Sequence, residues 1–502
     1  MLGQKSFIIL ASRVIGSIFA LIGMLFITRY LGPGVYGTVA WGLAFVAIFN
    51  TIAELGFNAA HVKRVSEGRC LEDCVSTYTT IKIALTAVMV TVVLLYVALL
   101  SLAGSGLSSD QLGVVLLFIL YYVFYDLANI AWTTYEAKME ASKNQLIIMV
   151  DPLVRLPLVI LISVYGLGAI QLAAAYAVGG SAMLIVGIWF MRRDKVRWKK
   201  PTMFRSYIKF AIPVTAINIF GTVSWNLDKI FIGWFGTDVA VGYFSGSQTL
   251  LGVLGFLGIA ISTITFPAIS QLMAEKRMDE VKGLTWTAER YISMLGLPLI
   301  VATIVAPTQV AVTFLGPAFA PAGEAMQILA IATFATMLTQ AYVPQIVAMD
   351  RPSLLARMMG VVLASNLVLL IIFVPSDFAG VPMLGWGFVG AAVVGVIISV
   401  AVLLYTRRLA SSMTGAKGNP RILIHFLAAG ITGVLLALLL SVWTLSYWYD
   451  LVVYGLIAIG IFAGLLFVMR ELTGYDITYF RAVISPKEVS GYVSKELKRK
   501  KE

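Results

Sequence analysis

The chain has 502 residues, of which 60% are hydrophobic and only 12% charged. Its mean hydropathy of +0.91 excludes an ordinary soluble domain. The formal net charge is +12, with two cysteines and two histidines, so a disulfide-stapled or histidine-rich metal protein is excluded as well.

Apolar runs of about 20 residues recur from one end to the other, and in hydrocarbon their backbone groups can be satisfied only within helices. An all-α integral membrane protein of about fourteen spans is therefore expected. In chain order the spans are read at 7–31, 38–60, 77–101, 111–134, 145–165, 169–191, 208–235, 243–270, 290–315, 322–346, 354–375, 384–406, 421–442 and 450–470. The first run, within "ILASRVIGSIFALIGMLFITRYLGPGVYG" (9–37), has no small-residue cleavage site after a short apolar core and ends in a Gly/Pro turn. It reads as a true span, not a removable signal peptide.

Lysine and arginine sort cleanly between alternate loops. "HVKRVSEGRCLED", "YEAKMEASKN", "RRDKVRWKKPTMFRSYIK", "AEKRMDEVKG", "MDRPSLLARM", "TRRLASSMTGAKGNPR" and the tail ending "KELKRKKE" carry most of the 37 basic residues. The intervening turns, such as "LAGSGLSSD", "FGTDVAVG", "LGPAFAPAG" and "PSDFAGVPML", carry acids and almost no bases apart from Arg29. The positive-inside bias then puts both termini in the cytoplasm of a multi-pass protein of the cell membrane. The same bias accounts for the net charge, which is no argument for nucleic acid as a partner. The basic loop from Arg192 to Lys209 is expected to touch anionic headgroups.

Cys70 and Cys74, in "EGRCLEDCVS", fall on a cytoplasmic loop and are too few for a structural zinc site; no metal site is expected. The longest loop, between spans six and seven, is about 20 residues, too short for a folded catalytic domain. No phosphate-binding glycine loop is present. The work of the protein is therefore assigned to the helix bundle, as a transporter and not an enzyme.

A weak repeat relates "FITRYLGPGVYG", closing the first span, to "FIGWFGTDVAVGYF", closing the seventh. An even number of spans separates the copies, so they share an orientation, and a pseudo-two-fold axis along the membrane normal is expected. The domain reading is an N-lobe at 1–191, a basic linker at 192–207, a C-lobe at 208–406, two further helices within 407–470 and a basic tail at 471–502, with the site between the lobes.

Ionisable side chains inside spans cost a few kcal/mol each unless they are paired or face water. They are Arg13, Glu54, Lys82, Asp126, Asp151 and Arg155 in the first lobe, and Asp228 and Lys229 in the second. Arg13, Glu54, Asp126 and Asp151 lie about 10 Å from the cytoplasmic ends. Polar stripes at helical spacing accompany them: Asn50, Glu54, Asn58 and His61; Tyr122, Asp126, Asn129 and Thr133; Asn218, Thr222, Trp225 and Lys229; Thr333, Thr336 and Gln340. Bland roles compete with ligand contact. Asp151 and Arg155 are spaced to bridge each other beside Pro152 and Pro157. Lys82 is shallow enough to snorkel, Glu54 could neutralise Arg13, and Asn218 and Gln340 suit interhelical hydrogen bonds. His61 and His425, near helix ends, are expected to be ordinary.

The segments "SRVIG", "TRYLGPGVYG", "AELGFNAAHVKRVSEG" and "NLDKIFIGWFGTDVAVGYFSG" resemble the polysaccharide-transporter (Wzx-type) flippases of the multidrug/oligosaccharidyl-lipid/polysaccharide exporter superfamily. The resemblance covers nearly the whole chain. It implies an alternating-access flippase that carries a lipid-linked oligosaccharide, on a polyprenyl phosphate or pyrophosphate, to the outer leaflet; a closed two-lobed bundle is expected to be a monomer. Residues 12–16 are also similar to a Ser-Arg-Val-Leu-Gly segment of the peptidoglycan-precursor flippases, whose arginine lies in the central cavity; the further arginine and aspartate of that branch are missing from "SIFALIG". On this reading Arg13 captures phosphate, since a guanidinium holds phosphate oxygens bidentately. Arg155 and Lys229 hold the headgroup, Asn218 and Gln340 line the path, and Glu54, Asp126 and Asp228 pair charges or bind a coupling ion. No cofactor is expected beyond a proton, sodium ion or the membrane potential. The alternatives are a cation-coupled multidrug exporter of the same superfamily and a membrane glycan polymerase or glycosyltransferase.

Overall fold

The computed structural model describes residues 2–472 except 105, 350–351, 416–417 and 446, and their side chains except those of 2–7, 10, 213, 214, 217 and 352. The predicted basic tail beyond 472 lies outside the described residues. Sixteen α-helices are found among the described residues: α1 (Leu2–Glu54), α2 (Phe57–Ser66), α3 (Leu71–Leu102), α4 (Ser109–Ala137), α5 (Ala141–Val164), α6 (Ala169–Arg193), α7 (Phe204–Phe235), α8 (Asp238–Ala274), α9 (Met278–Val305), α10 (Pro307–Leu315), α11 (Ala322–Thr339), α12 (Val343–Ala348), α13 (Pro352–Phe373), α14 (Gly387–Thr414), α15 (Ile422–Val442) and α16 (Trp448–Val468). A short antiparallel hairpin, β1 (Asp377–Phe378) and β2 (Val381–Pro382), joins α13 to α14.

Among the described residues, 12 helical segments are long and apolar enough to cross a membrane. One of them, Ala11–Glu54, holds the first two predicted spans, which meet at Gly32 with φ 77° and ψ −179°. Only glycine takes that φ without strain, and Pro33, which follows, has no N–H to continue the ladder. With α1 divided there and α7 included, every predicted span finds its helix.

Three predicted spans end differently from their apolar pattern. The second breaks at Leu55 (φ 32°) and Gly56 (φ 70°), so Glu54 is the last residue of α1 and not a mid-helix residue. The ninth begins earlier, at Met278, and ends at Val305, before Pro307 opens α10. The tenth ends at Thr339 with Gln340 as its C-cap, and α12 follows. Hydropathy reports how deep a run lies but not where its hydrogen-bond ladder is interrupted.

The chain packs as two compact units: Met1–Gly242 with Pro352–Leu367, and Tyr243–Arg351 with Val368–Glu502. In the first, α1 packs along α5 and α7, and α4 packs on α6. Its buried side chains include Tyr78, Ile81, Ile130 and Tyr207 in one cluster and Ala131, Trp132, Ile147 and Met183 in another. In the second, α9 is central, against α11, α15 and α16; Ala302, Ala306, Leu436, Tyr454 and Ala458 form part of its core.

Candidate functional site

The charges of the first unit are arranged on neighbouring helices at several depths. Lys82 of α3 and Asp126 of α4 form an ion pair, Nζ to Oδ1 2.9 Å, and both side chains are fully buried. Thr86 donates to the second carboxylate oxygen at 3.4 Å. Lys82 does not snorkel, as its depth had suggested. A desolvated ammonium is held where a carboxylate and a hydroxyl face it, and the mutual attraction in a low dielectric offsets the loss of water. One turn along α4, Asn129 continues the polar face. Tyr78 donates towards Asn58 Oδ1 and Asn129 Oδ1, each at 2.6 Å, and Thr133 donates to Asn129 Oδ1 at 2.9 Å. His61 is wholly buried, 2.9 Å from both the Tyr207 and Thr134 hydroxyls and stacked on Tyr78 at 4.2 Å. It is a core side chain and not a helix-end one. Glu54 is half-buried at the carboxyl end of α1 and within electrostatic reach of Lys82 and Asp126. It forms no ion pair with Arg13 among the described residues.

A second constellation lies between α4, α5 and α6. Arg155 Nη2 is 3.1 Å from Asp151 Oδ2, so the i, i+4 bridge read from the spacing is formed. The guanidinium also lies over the Tyr176 ring, 4.1 Å from its centre. Tyr121, Tyr122 and Tyr125 of α4 adjoin this group, with Tyr121 edge-on to Tyr176 at 5.9 Å and Tyr125 edge-on to Trp132 at 4.8 Å. Close approach of α6 is what brings them together. A β-carbon on Gly179 would lie 2.2 Å from Asp151 Oδ1, and one on Gly180 would lie 3.0 Å from the Tyr121 ring.

Arg13 is exposed on the first half of α1 and has no ion-pair partner among the described residues. Gly16 of α1 faces Met149 of α5, and Gly23 faces Leu156 and Val159, so the two helices run parallel in register. Arg155 is therefore level with a residue nine positions past Arg13, or about 14 Å further along the bundle.

On α7, Lys229 is buried, with Nζ donating to the Trp225 carbonyl at 3.4 Å and lying 5.7 Å from the Trp225 ring centre. The Asp228 Oδ1 and the Ser224 hydroxyl are buried without a hydrogen-bond partner among the described residues. Asn366 of α13 donates to the Ser224 carbonyl at 3.4 Å. Asn218 is exposed.

Gln340, in the second unit, caps α11 and lies against Gly258 of α8. Thr333 and Thr336 donate to carbonyls of their own helix, which leaves their stripe with fewer free donors than its pattern suggests. The second unit holds a network that the sequence reading missed. Buried Glu289 accepts from the Tyr342 hydroxyl and from the Asn419 backbone N–H at 2.9 Å. Arg290 binds Glu471 at 3.0 Å, and His425, also buried, is 2.6 Å from the Ser293 hydroxyl. The signal was the pair Glu289–Arg290 at the mouth of an apolar run, where it reads as loop. Cys70 is exposed, Cys74 is buried, and both are free thiols.

A family model described as "Polysaccharide biosynthesis protein" matches residues 2–273, more than half of the chain. This chain belongs to the polysaccharide biosynthesis protein family. Among similar proteins, a Haloferax volcanii protein described as "Probable low-salt glycan biosynthesis flippase Agl15" is 21% identical over 416 residues, 82% of this chain and 84% of its own length. A second Haloferax volcanii protein, "Probable flippase AglR", is 23% identical over 238 residues, 46% of this chain and 48% of its own. Among solved structures, the lipid II flippase MurJ in an inward closed conformation superposes with a TM-score of 0.72 at 14% identity, covering 92% of this chain and 98% of that one. An inward-facing multidrug resistance transporter of the MOP superfamily gives 0.61 at 13%, covering 80% and 96%. These likenesses establish the fold of this polysaccharide biosynthesis protein as that of the MOP superfamily, a multi-pass helical membrane protein.

Proposed function

We propose that this protein is a flippase of glycan biosynthesis, a transporter and not an enzyme, that carries a lipid-linked oligosaccharide on a polyprenyl phosphate or pyrophosphate from the cytoplasmic to the outer leaflet by alternating access. The observation that carries the reading is Arg13, an arginine without an ion-pair partner among the described residues, on the first helix of a bundle in which Lys82 and Arg155 are each held by a carboxylate. A diphosphate cannot enter hydrocarbon without a counter-charge, and a free guanidinium supplies one bidentately with little loss of hydration. The names of the Haloferax relatives and the fold shared with the lipid II flippase support the same class.

On this reading Arg13 captures the phosphates, Arg155 and Lys229 meet the sugar-bearing end of the glycolipid deeper in, and Asn218 and Gln340 contact it along the path. The Lys82–Asp126 pair holds α3 to α4. Glu54 and Asp228 are left as carboxylates for a proton or sodium ion, and the membrane potential favours outward movement of an anionic headgroup. The protein works as a monomer in the cell membrane with both termini in the cytoplasm, its basic loop at 192–209 against anionic lipid.

The test is flipping of a fluorescent polyprenyl-pyrophosphate oligosaccharide in proteoliposomes, wild type beside Arg13→Ala, with and without proton or sodium gradients. Wild-type flipping that Arg13→Ala abolishes is expected. Gradient-driven efflux of a cationic dye without flipping would replace this reading with the multidrug exporter.

A further inference from the structure

We propose that the Arg155–Asp151 pair and the tyrosines around it form a saccharide platform, taking a sugar ring of the transported glycolipid and not its phosphate. This deepens the flippase reading and rests on it. The charge state decides the ligand class. Arg13 is exposed and has no ion-pair partner among the described residues, whereas Arg155 is bridged by Asp151 at 3.1 Å and its flat face is covered by Tyr176 at 4.1 Å. The pair carries no net charge, so it lacks the excess positive charge with which a diphosphate must be met. What it presents is the open edge of the fixed guanidinium, with the rings and hydroxyls of the half-buried Tyr122, Tyr125 and Tyr176 beside it. Sugars suit that surface: their C–H faces lie on aromatic rings, and their adjacent hydroxyls bridge a donor and an acceptor.

The platform is built, not incidental. Asp151 is buried, with its Oδ1 set against α6 where Gly179 leaves no β-carbon, so the carboxylate cannot turn away from Arg155. The Arg155 side chain keeps 21% of its surface open, which is the edge left for a ligand. Its position also fits. The platform is about 14 Å beyond Arg13 along parallel helices, so phosphates held at Arg13 would place the attached sugars further in, towards Arg155.

Equilibrium binding to the full-length protein in lipid nanodiscs separates the two chemistries. The probes are a polyprenyl diphosphate, the same lipid bearing a disaccharide, and the free disaccharide. In wild type, the sugar-bearing lipid should bind more tightly than the bare diphosphate. Tyr176→Leu should weaken only the sugar-bearing lipid, by about tenfold, as expected for the loss of one stacking and cation–π surface. Tyr122→Leu is the second variant and should act in the same direction, while Arg13→Ala weakens both lipids. Equal losses for the two lipids in both tyrosine variants, or no loss in either with unchanged melting temperatures, would overturn the platform and leave the flippase reading standing. Wild type that binds neither lipid would remove both. Free disaccharide binding as tightly as the lipid-linked form would assign the site to a soluble sugar and overturn the proposal.

Discussion

Gly37 and Gly242 meet backbone to backbone. A β-carbon on Gly37 would lie 1.7 Å from the Asp238 carbonyl oxygen and 2.7 Å from the Gly242 nitrogen, and one on Gly242 would lie 2.1 Å from the Pro33 carbonyl oxygen. These residues belong to the two copies of the weak repeat, "LGPGVYG" and "FGTDVAVGY", so the repeated glycines are where the copies touch. The junction is closed by side chains as well: Asp238 accepts from Thr38 at 2.8 Å and from Gln111 at 2.9 Å.

Because the obstructing atoms are backbone, neither helix can yield locally. Gly37→Ala and Gly242→Ala should each destabilise the protein by about 1–3 kcal/mol, the usual range for overpacking. Gly221→Ala on α7, where a β-carbon would meet nothing within 4 Å, should be neutral or slightly stabilising. Thermal melting of the three variants in detergent is the check, and a Gly37→Ala melting point equal to that of Gly221→Ala would contradict the close approach.

The Lys82–Asp126 pair gives a sharper prediction, since removing one partner leaves an uncompensated charge in the bundle. Lys82→Met should cost about 3–5 kcal/mol, whereas Lys82→Met combined with Asp126→Leu should recover much of that. A double-mutant cycle on unfolding reads the coupling directly; additive losses would show that the two side chains stand independently.

Asp228 predicts the coupling. Its Oδ1 and the hydroxyl of Ser224, one helical turn before it, are both buried without a hydrogen-bond partner among the described residues. Asp228→Asn should abolish the dependence of flipping on an imposed ion gradient while potential-driven flipping persists. Ser224→Ala should weaken a sodium dependence and leave a proton dependence intact, which tells the two ions apart in the same liposome assay.

Where α4 ends, α5 begins and α6 ends, Asp194 accepts from Lys143 at 2.6 Å, with Lys138 at 3.8 Å. The hydrogen bond from Lys143, with help from the nearby charges, lowers the Asp194 pKa from its ordinary 3.8. A carboxylate lowered in the folded state contributes stability that is fully present above its unfolded value. That contribution is lost as the pH falls from about 3.8 through the lower folded value. Asp194→Asn should therefore lower the melting temperature slightly at pH 7 and make no difference once the pH is below the folded value. A constant difference across the range would mean that the charge is not what matters.

The membrane class and the many-span helical plan were legible because each depends on composition summed over about 20 residues, and lipid enforces that sum whatever the packing. Arg13, Glu54, Asp126, Asp151, Arg155, Asp228 and Lys229 were legible as well, because a charge within an apolar run stands out from sequence alone. The Asp151–Arg155 bridge followed from a spacing of four. Pairings across helices did not. Lys82 seeks Asp126 across 44 positions of sequence, His61 is clasped by Tyr207 and Thr134, and Glu289 is buried under Tyr342.

What the sequence determined by itself was which segments enter the membrane and which of their residues need a reason to be there. Only the tertiary structure decided the partners: which charges are neutralised and which have no ion pair among the described residues. Partnering depends on which helix faces meet, and here that is set by glycines at close approaches and by breaks at Gly32 and Leu55–Gly56, which hydropathy does not register.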